Sequence, residues 1–181
     1  MPVYTRPEHV WSVDEMANAA SLNQYQRDNE AATLHRLAYK GADENLASST
    51  TLQDDNHLLV DVAADQTWYY RLVLWTNQPT VSVSSCNIKV AFTFPSGSLN
   101  MESWTINSAG GLGRSEWTTS GSSQSLKADS GTTDRIVHVV EGVFLNSTTP
   151  VTFRVQWAQV TSDAGALYVY KGSTLWGANI T

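Results

Sequence analysis

The residues best placed to do chemistry are few. Asp54-Asp55-Asn56-His57 sets four oxygen and nitrogen ligand types in a row. A calcium loop needs ligands at alternate positions and a glycine at its bend, which this run lacks, so a turn entering a strand is the expected reading. His9, His35, His57 and His138 are scattered, with no pair at zinc-ligand spacing. Glu102 and Glu116 would suit glycoside hydrolysis if the fold brought them together, which the sequence does not dictate. Gly110-Gly111-Leu112-Gly113 resembles a piece of a nucleotide loop but opens no helix after a buried strand. No Gly-x-Ser-x-Gly elbow and no Gly-x-x-x-x-Gly-Lys run occurs. The expectation is a protein without catalytic residues, metal or cofactor.

Seven tryptophans stand out in 181 residues. Trp68, Trp75 and Trp157 fall in strand-like runs and suit a core or a subunit contact. Trp104 and Trp117 flank the glycine run at 110–113, and the stretch from Ser108 to Ser125 is expected to be loop. Rings exposed there would stack on sugars, making Trp104 and Trp117 the candidate glycan contacts. The competing reading plugs the end of a sandwich, or an interface, with them.

Composition narrows the partners. Eleven basic residues against seventeen acidic ones give a net charge of −6, and no basic cluster could follow a phosphate backbone. Nucleic acid is therefore an unlikely ligand class. No stretch approaches the apolar length that spans a bilayer, and no export signal is evident. Cys86 stands alone, so no intrachain disulfide can form, and it reads as a small buried hydrophobe. Charged residues make up only 15% of the chain, with Ser, Thr, Asn and Gln in their place, which favours strands over exposed helices. A chain of this length can bury roughly 70% of its unfolded surface without a metal or disulfide.

Two regions follow from the patterning. Residues 1–45 read as an arm and a helix. Pro2 and Pro7 keep the arm extended, and Ser12-Val13-Asp14-Glu15 spells a capping box directly after Trp11, which is placed as a hydrophobic staple or anchor. Helix is expected from there to about Leu37, with Gly41 ending it. Its apolar stripe, Leu22 and Tyr25 in line with Asn29 and Ala32, suits either an oligomeric bundle with a polar seam residue or a helix lying on the second region.

Residues 46–181 read as an antiparallel β-sandwich, jelly-roll-like. Trp68, Tyr70, Leu72 and Leu74 alternate with Tyr69, Arg71, Val73 and Trp75, a strand apolar on both faces. Ile88–Phe94, Ile136–Phe144, Val151–Trp157 and Leu167–Val169 alternate likewise, with weaker candidates near 46–53, 57–63, 99–106 and 123–128. Turn residues fall between them at Ala64-Asp65, Asn77-Gln78-Pro79, Pro95-Ser96-Gly97, Asn146 to Pro150 and Asp163-Ala164-Gly165, giving about eight or nine strands.

Leu22-Asn23-Gln24-Tyr25-Gln26-Arg27-Asp28-Asn29 resembles the Leu-Asn-x-Tyr-x-Arg-Asp-Asn signature of small tail-fibre-like and minor structural proteins of tailed bacteriophages. Trp11 to Ala20 is similar to the aromatic-led Glu-x-x-x-Ala-Ala segment before it. Ser48 to Asp55, Ile88 to Phe92 and Val155 to Gln159 resemble later parts of that family, while Gln26 and Glu30 depart from its usual aliphatic residues. The resemblance implies a virion surface protein, assembled in the host cytoplasm, with a jelly-roll-like domain and three-fold association. It places Trp11, Leu22, Asn23, Tyr25, Arg27, Asp28 and Asn29 in anchoring and self-association. The implied partners are sister subunits in a homotrimer, other virion proteins and a host surface glycan or protein. Tail fibre or minor tail protein is the leading role; capsid decoration (a head fibre) and a stand-alone carbohydrate-binding module are the alternatives.

Overall fold

The computed structural model describes residues 35–79, 87–106, 112–127 and 135–180; of 35–36, 104–106 and 112–113 it describes the backbone alone. The described chain is built from twelve strands. They are β1 (His35–Tyr39), β2 (Glu44–Leu46), β3 (Gln53–Val62), β4 (Thr67–Asn77), β5 (Asn87–Thr93) and β6 (Ser98–Ile106). β7 (Leu112–Trp117), β8 (Ser123–Lys127), β9 (Ile136–Leu145), β10 (Val151–Gln159), β11 (Leu167–Val169) and β12 (Thr174–Asn179) complete them.

Two sheets form, the larger in the order β1-β12-β4-β9-β6-β7, with β11 pairing β4 and β2, and the smaller in the order β3-β10-β5-β8. The pairings nest: β1 with β12, β3 with β10, β4 with β9 and β5 with β8, all antiparallel. A long hairpin rolled up on itself gives this nesting, so the domain is a jelly roll, as the strand spacing predicted. The β6–β7 hairpin is inserted between β5 and β8 and extends the larger sheet past β9.

Period-two patterning decides which side chains meet inside. Trp68, Tyr70, Leu72 and Leu74 of β4 face Phe153, Val155 and Trp157 of β10, and all seven are fully buried. Phe153 sits at the centre, its ring 4.6 Å from Tyr70, 5.1 Å from Phe144 and 5.4 Å from Phe92. Gly177 on β12 makes room for this layer, because a Cβ there would lie 2.3 Å from the Tyr70 ring. The expected turns at Ala64-Asp65 and Pro95-Ser96-Gly97 are present, and both need left-handed backbone: Asp65 at φ 56° and Gly97 at φ 113°.

Four expectations are corrected. Residues 35–39 form strand β1 on β12, so the helix does not reach Leu37, and the boundary drawn between residues 45 and 46 falls inside β2. The open edge of β12 offers β1 a backbone ladder that outweighs local helix preference. Ser108 to Ser125 is not one loop, since it contains β7 and the start of β8. Asp54 to His57 lies within β3 rather than in a turn before it. The expected arm and helix, with Trp11, Leu22, Asn23, Tyr25, Arg27, Asp28 and Asn29, lie outside the described residues.

Phe153→Ala removes the ring that every neighbour in the central layer touches. We expect a loss of about 3–5 kcal/mol in urea unfolding, against little change for an exposed control such as Ser125→Ala.

Candidate functional site

Two clusters gather charged side chains among the described residues. The first arises from a bulge. Leu59 of β3 pairs with Arg154 and Asp54 pairs with Gln156, so the four residues Asp55 to Leu58 stand opposite Val155 alone. Asp55 and Leu58 turn inward while Asn56 stays exposed, and the Asp55 carboxylate caps the kink, accepting at Oδ1 from the amides of His57 and Leu58, each at 2.9 Å. Its Oδ2 accepts from Lys40 Nζ at 2.7 Å and from Trp157 Nε1 at 3.1 Å. Lys40 and Asp55 are both completely buried.

Lys40 Nζ also lies 2.7 Å from Glu44 Oε2, a close ion pair without the angle of a directed hydrogen bond. Glu44 Oε1 accepts from Asn56 Nδ2 at 3.1 Å and stands 3.4 Å from His57 Nδ1. Glu44, Asp55 and His57 thus bring metal-ligand atoms within 4.8 Å of one another. The position between the two carboxylates is held by the Lys40 ammonium, and both Asp55 oxygens are committed. Glu44 and His57 alone fall short of the four ligands a structural zinc takes. The cluster is a tie between the sheets: Lys40 follows β1 of the larger and Asp55 belongs to β3 of the smaller.

The second cluster lies on the outer face of the larger sheet. The β6–β9 ladder ends at Glu102 opposite Glu141, while β6 continues on β7 to Ile106 and β9 continues on β4 to Ile136. A cleft of about 590 Å³ opens there, lined by Tyr69, Asn100, Glu102, Ser103, Arg114, Val139, Glu141 and Gly142. Glu116, Glu102 and Glu141 stand side by side on β7, β6 and β9. Like charges so placed repel, and two guanidiniums answer them. Arg114 Nε donates to Glu102 Oε2 at 2.7 Å and Arg114 also pairs with Glu116, while Arg71 Nε lies 2.9 Å from Glu141 Oε1. The bond to Glu102 raises the Arg114 pKa further. Burial and a hydrogen bond with Glu141 raise that of the Tyr69 phenol.

The candidate residues from sequence fall out unevenly. Glu102 and Glu116, which the sequence could not bring together, face each other across β6 and β7. Both share Arg114, which donates to Glu102 and pairs with Glu116. Trp117 is fully buried; its Nε1 donates to Val90 O at 2.8 Å and its ring meets Phe92 edge-on. It plugs the core and makes no glycan contact, because inward alternation on β7 outweighs the loop reading. The side chain of Trp104 lies outside the described residues. His138 is a satisfied core histidine, with Nε2 2.8 Å from Thr76 Oγ1, and burial lowers its pKa to about 4. Lys40 went unnoticed in sequence, where a lysine beside a glycine reads as surface; a buried partner 15 positions on leaves no local signal.

No family model matches the chain, and no curated protein does. Among solved structures it is similar to an Eiger tumour necrosis factor from S. frugiperda, at 10% identity and a TM-score of 0.43, over 82% of this chain and 93% of that one. It is similar to the tripod from the baseplate of bacteriophage Tuc2009, at 10% identity and a TM-score of 0.37, over 98% and 76%. A xylanase fragment with CBM22-1 and GH10 modules from Clostridium thermocellum gives 7% identity and a TM-score of 0.33, over 82% of this chain and 28% of that one. The class rests on the strand order: an antiparallel jelly-roll sandwich with an inserted hairpin. No helix among the described residues is long and apolar enough to cross a membrane.

Two predictions follow from the buried groups. Lys40→Met strands the Asp55 carboxylate and is expected to cost about 3–5 kcal/mol; adding Asp55→Asn should restore part of it, read as a double-mutant cycle in urea. His138 keeps its imidazole neutral down to about pH 4 when folded, whereas the unfolded chain takes the proton near the ordinary histidine value of 6.5. Its contribution is whole above 6.5 and is lost as pH falls from there to about 4. The loss is about 3 kcal/mol, and His138→Gln should flatten that slope relative to the wild type.

Proposed function

We propose that the chain is a non-catalytic structural subunit of a tailed-bacteriophage virion that works by associating with sister copies. The observation that carries this reading is the contrast between the two outer faces of one sandwich. On the smaller sheet that face is hydrophilic: Asp54 bonds Arg154 and Gln156, Thr152 donates to Asp61 at 2.8 Å, and Ser123, Ser125 and Lys127 are exposed. On the larger sheet Leu37 is 63% exposed, Tyr39 56%, Val137 42% and Trp75 37%. Trp176 stands between Leu37 and Arg71 in the same row.

Solvated sheet faces carry the first kind of residue and contact faces the second. The partner is another copy of this chain, because the face holds internally paired charges of both signs, Arg71 with Glu141 and Arg114 with Glu102, so like faces do not repel. The resemblance of residues 11–29 to the phage proteins supports the virion setting and a three-fold assembly. Within that setting the role is a tail-fibre or minor tail protein, with capsid decoration as the alternative. The acidic and basic side chains of both clusters are spent on one another, which fits a protein without catalysis.

Light scattering of the purified full chain tests the reading. Self-association is expected, and Leu37→Glu with Trp75→Glu should return the chain to monomer with its circular dichroism unchanged. A wild type that stays monomeric at every attainable concentration, and that antibody labelling fails to find on phage particles, refutes it.

A further inference from the structure

We propose that Lys40 and Asp55 condense to an amide, a covalent bond between the two sheets that forms without a cofactor or a second protein. The inference goes beyond self-association and does not rest on it, since every group it needs lies within one chain.

Lys40 Nζ lies 2.7 Å from Asp55 Oδ2, one bond away from the carbon that an amine attacks. Both side chains are completely buried, so the nitrogen is held against that carbon and water is kept from it. Such confinement turns an encounter into a unimolecular step and raises its rate by orders of magnitude. Asp55 Oδ1 accepts from the amides of His57 and Leu58, each at 2.9 Å. Two backbone donors on one carboxyl oxygen stabilise the negative oxygen of a tetrahedral intermediate. Glu44 Oε2 stands 2.7 Å from the same Nζ, buried and without a directed hydrogen bond. Asn56 Nδ2 donates to the other Glu44 oxygen at 3.1 Å, leaving Oε2 to the lysine. An amine, a carboxyl group, an oxyanion site and a proton carrier thus meet in one place.

The step balances within these groups. The Lys40 ammonium passes one proton to Oδ2, giving an amine beside a carboxylic acid. The amine lone pair attacks Cγ, the Nζ–Cγ bond forms, and charge moves onto Oδ1. Glu44 takes a second proton from the nitrogen and hands it to Oδ2. The Cγ–Oδ2 bond then breaks, one water leaves, Oδ1 becomes the amide carbonyl and Glu44 ends as it began. Trp157 Nε1, 3.1 Å from Oδ2, donates to the departing oxygen. Glu44 is the partly exposed member of the set, so the water leaves past it. Nothing is oxidised or reduced. Burial supplies the direction: each ion loses its hydration there, whereas the amide carries no charge.

Mass spectrometry of the denatured full chain reads the bond directly. The wild type should weigh one water less than its sequence, and trypsin should leave residues 37–71 as one peptide, uncut after Lys40. Fragment ions should place the link between Lys40 and Asp55. Lys40→Met and Asp55→Ala should each restore the full mass, and the wild-type mass decides even where those variants fail to fold. Glu44→Gln keeps the size of the side chain and removes the proton carrier. Its circular dichroism should be unchanged and its linkage about 100-fold slower, so that freshly made chain has the full mass. A wild type of full mass, cut by trypsin after Lys40, overturns the proposal. So does a missing water that mild alkali restores, which marks a cyclised aspartate, or a Glu44→Gln chain that links as fast as the wild type. None of these masses depends on whether copies associate, which keeps this test apart from the self-association reading.

Discussion

Tyr70 of the larger sheet and Phe153 of the smaller stack face to face, rings 4.6 Å apart and nearly parallel at 3°, and the sandwich closes around that contact. Phe92, Phe94 and Phe144 pack on the same ring, so five aromatic side chains fill the gap between sheets. Rings this large leave no space for further side chains at the crossing, and Gly177 answers on β12, directly beside Tyr70. Native packing density leaves few voids, so the layer fixes which face of each strand turns inward. Once β4 commits Trp68 and Tyr70 to the core, Tyr69 and Trp75 have nowhere to go but out.

The buried ion pair is a second tie of a different kind. Hydrophobic layers tolerate some sliding, whereas Asp55 bonds the Lys40 ammonium, the Trp157 indole and two of its own strand's amides at once. Such a set admits one register. The cost of drying two charges is offset only while every one of those bonds is made, so the cluster contributes more to a unique arrangement than to net stability. It also fixes the segment entering the sandwich. Lys40 follows β1, and its backbone bonds the turn at Gly172 and Ser173 before β12. The end of β1 is thus held by both the side chain and the main chain of Lys40.

The long strands were legible because their signal is local. Ile88 to Phe94 and Val151 to Trp157 alternate over enough residues that no other element fits, and Pro95-Ser96-Gly97 punctuates one of them. Short pieces were not. β1 becomes a strand through β12, residue 35 against 178 and 39 against 174, and β12 through β4 beside it, so neither carries the reason in its own window. The candidate site followed the same division. Asp54 to His57 was visibly polar and unusual, yet its meaning lies in a bulge that only the pairing with β10 creates. Trp117 was visible as an aromatic near glycines, but whether such a ring points in or out depends on one step of register.

That dependence on register explains how one sheet offers two surfaces. The outer row across the larger sheet runs Leu37, Trp176, Arg71, Glu141, Glu102 and Glu116, apolar at the β1 end and charged at the β7 end. The inserted β6–β7 hairpin extends the charged half with Glu102 and Glu116; without it β9 would be an edge strand and the row would stop at Glu141. Where the hairpin leaves β9, the ladder opens and the cleft forms, so insertion and cleft are one structural event. A jelly roll without the hairpin would keep the apolar half and the Arg71–Glu141 pair, and lose Glu102, Arg114 and Glu116. The two halves can therefore change independently, since the charged one pairs within itself through Arg71 and Arg114.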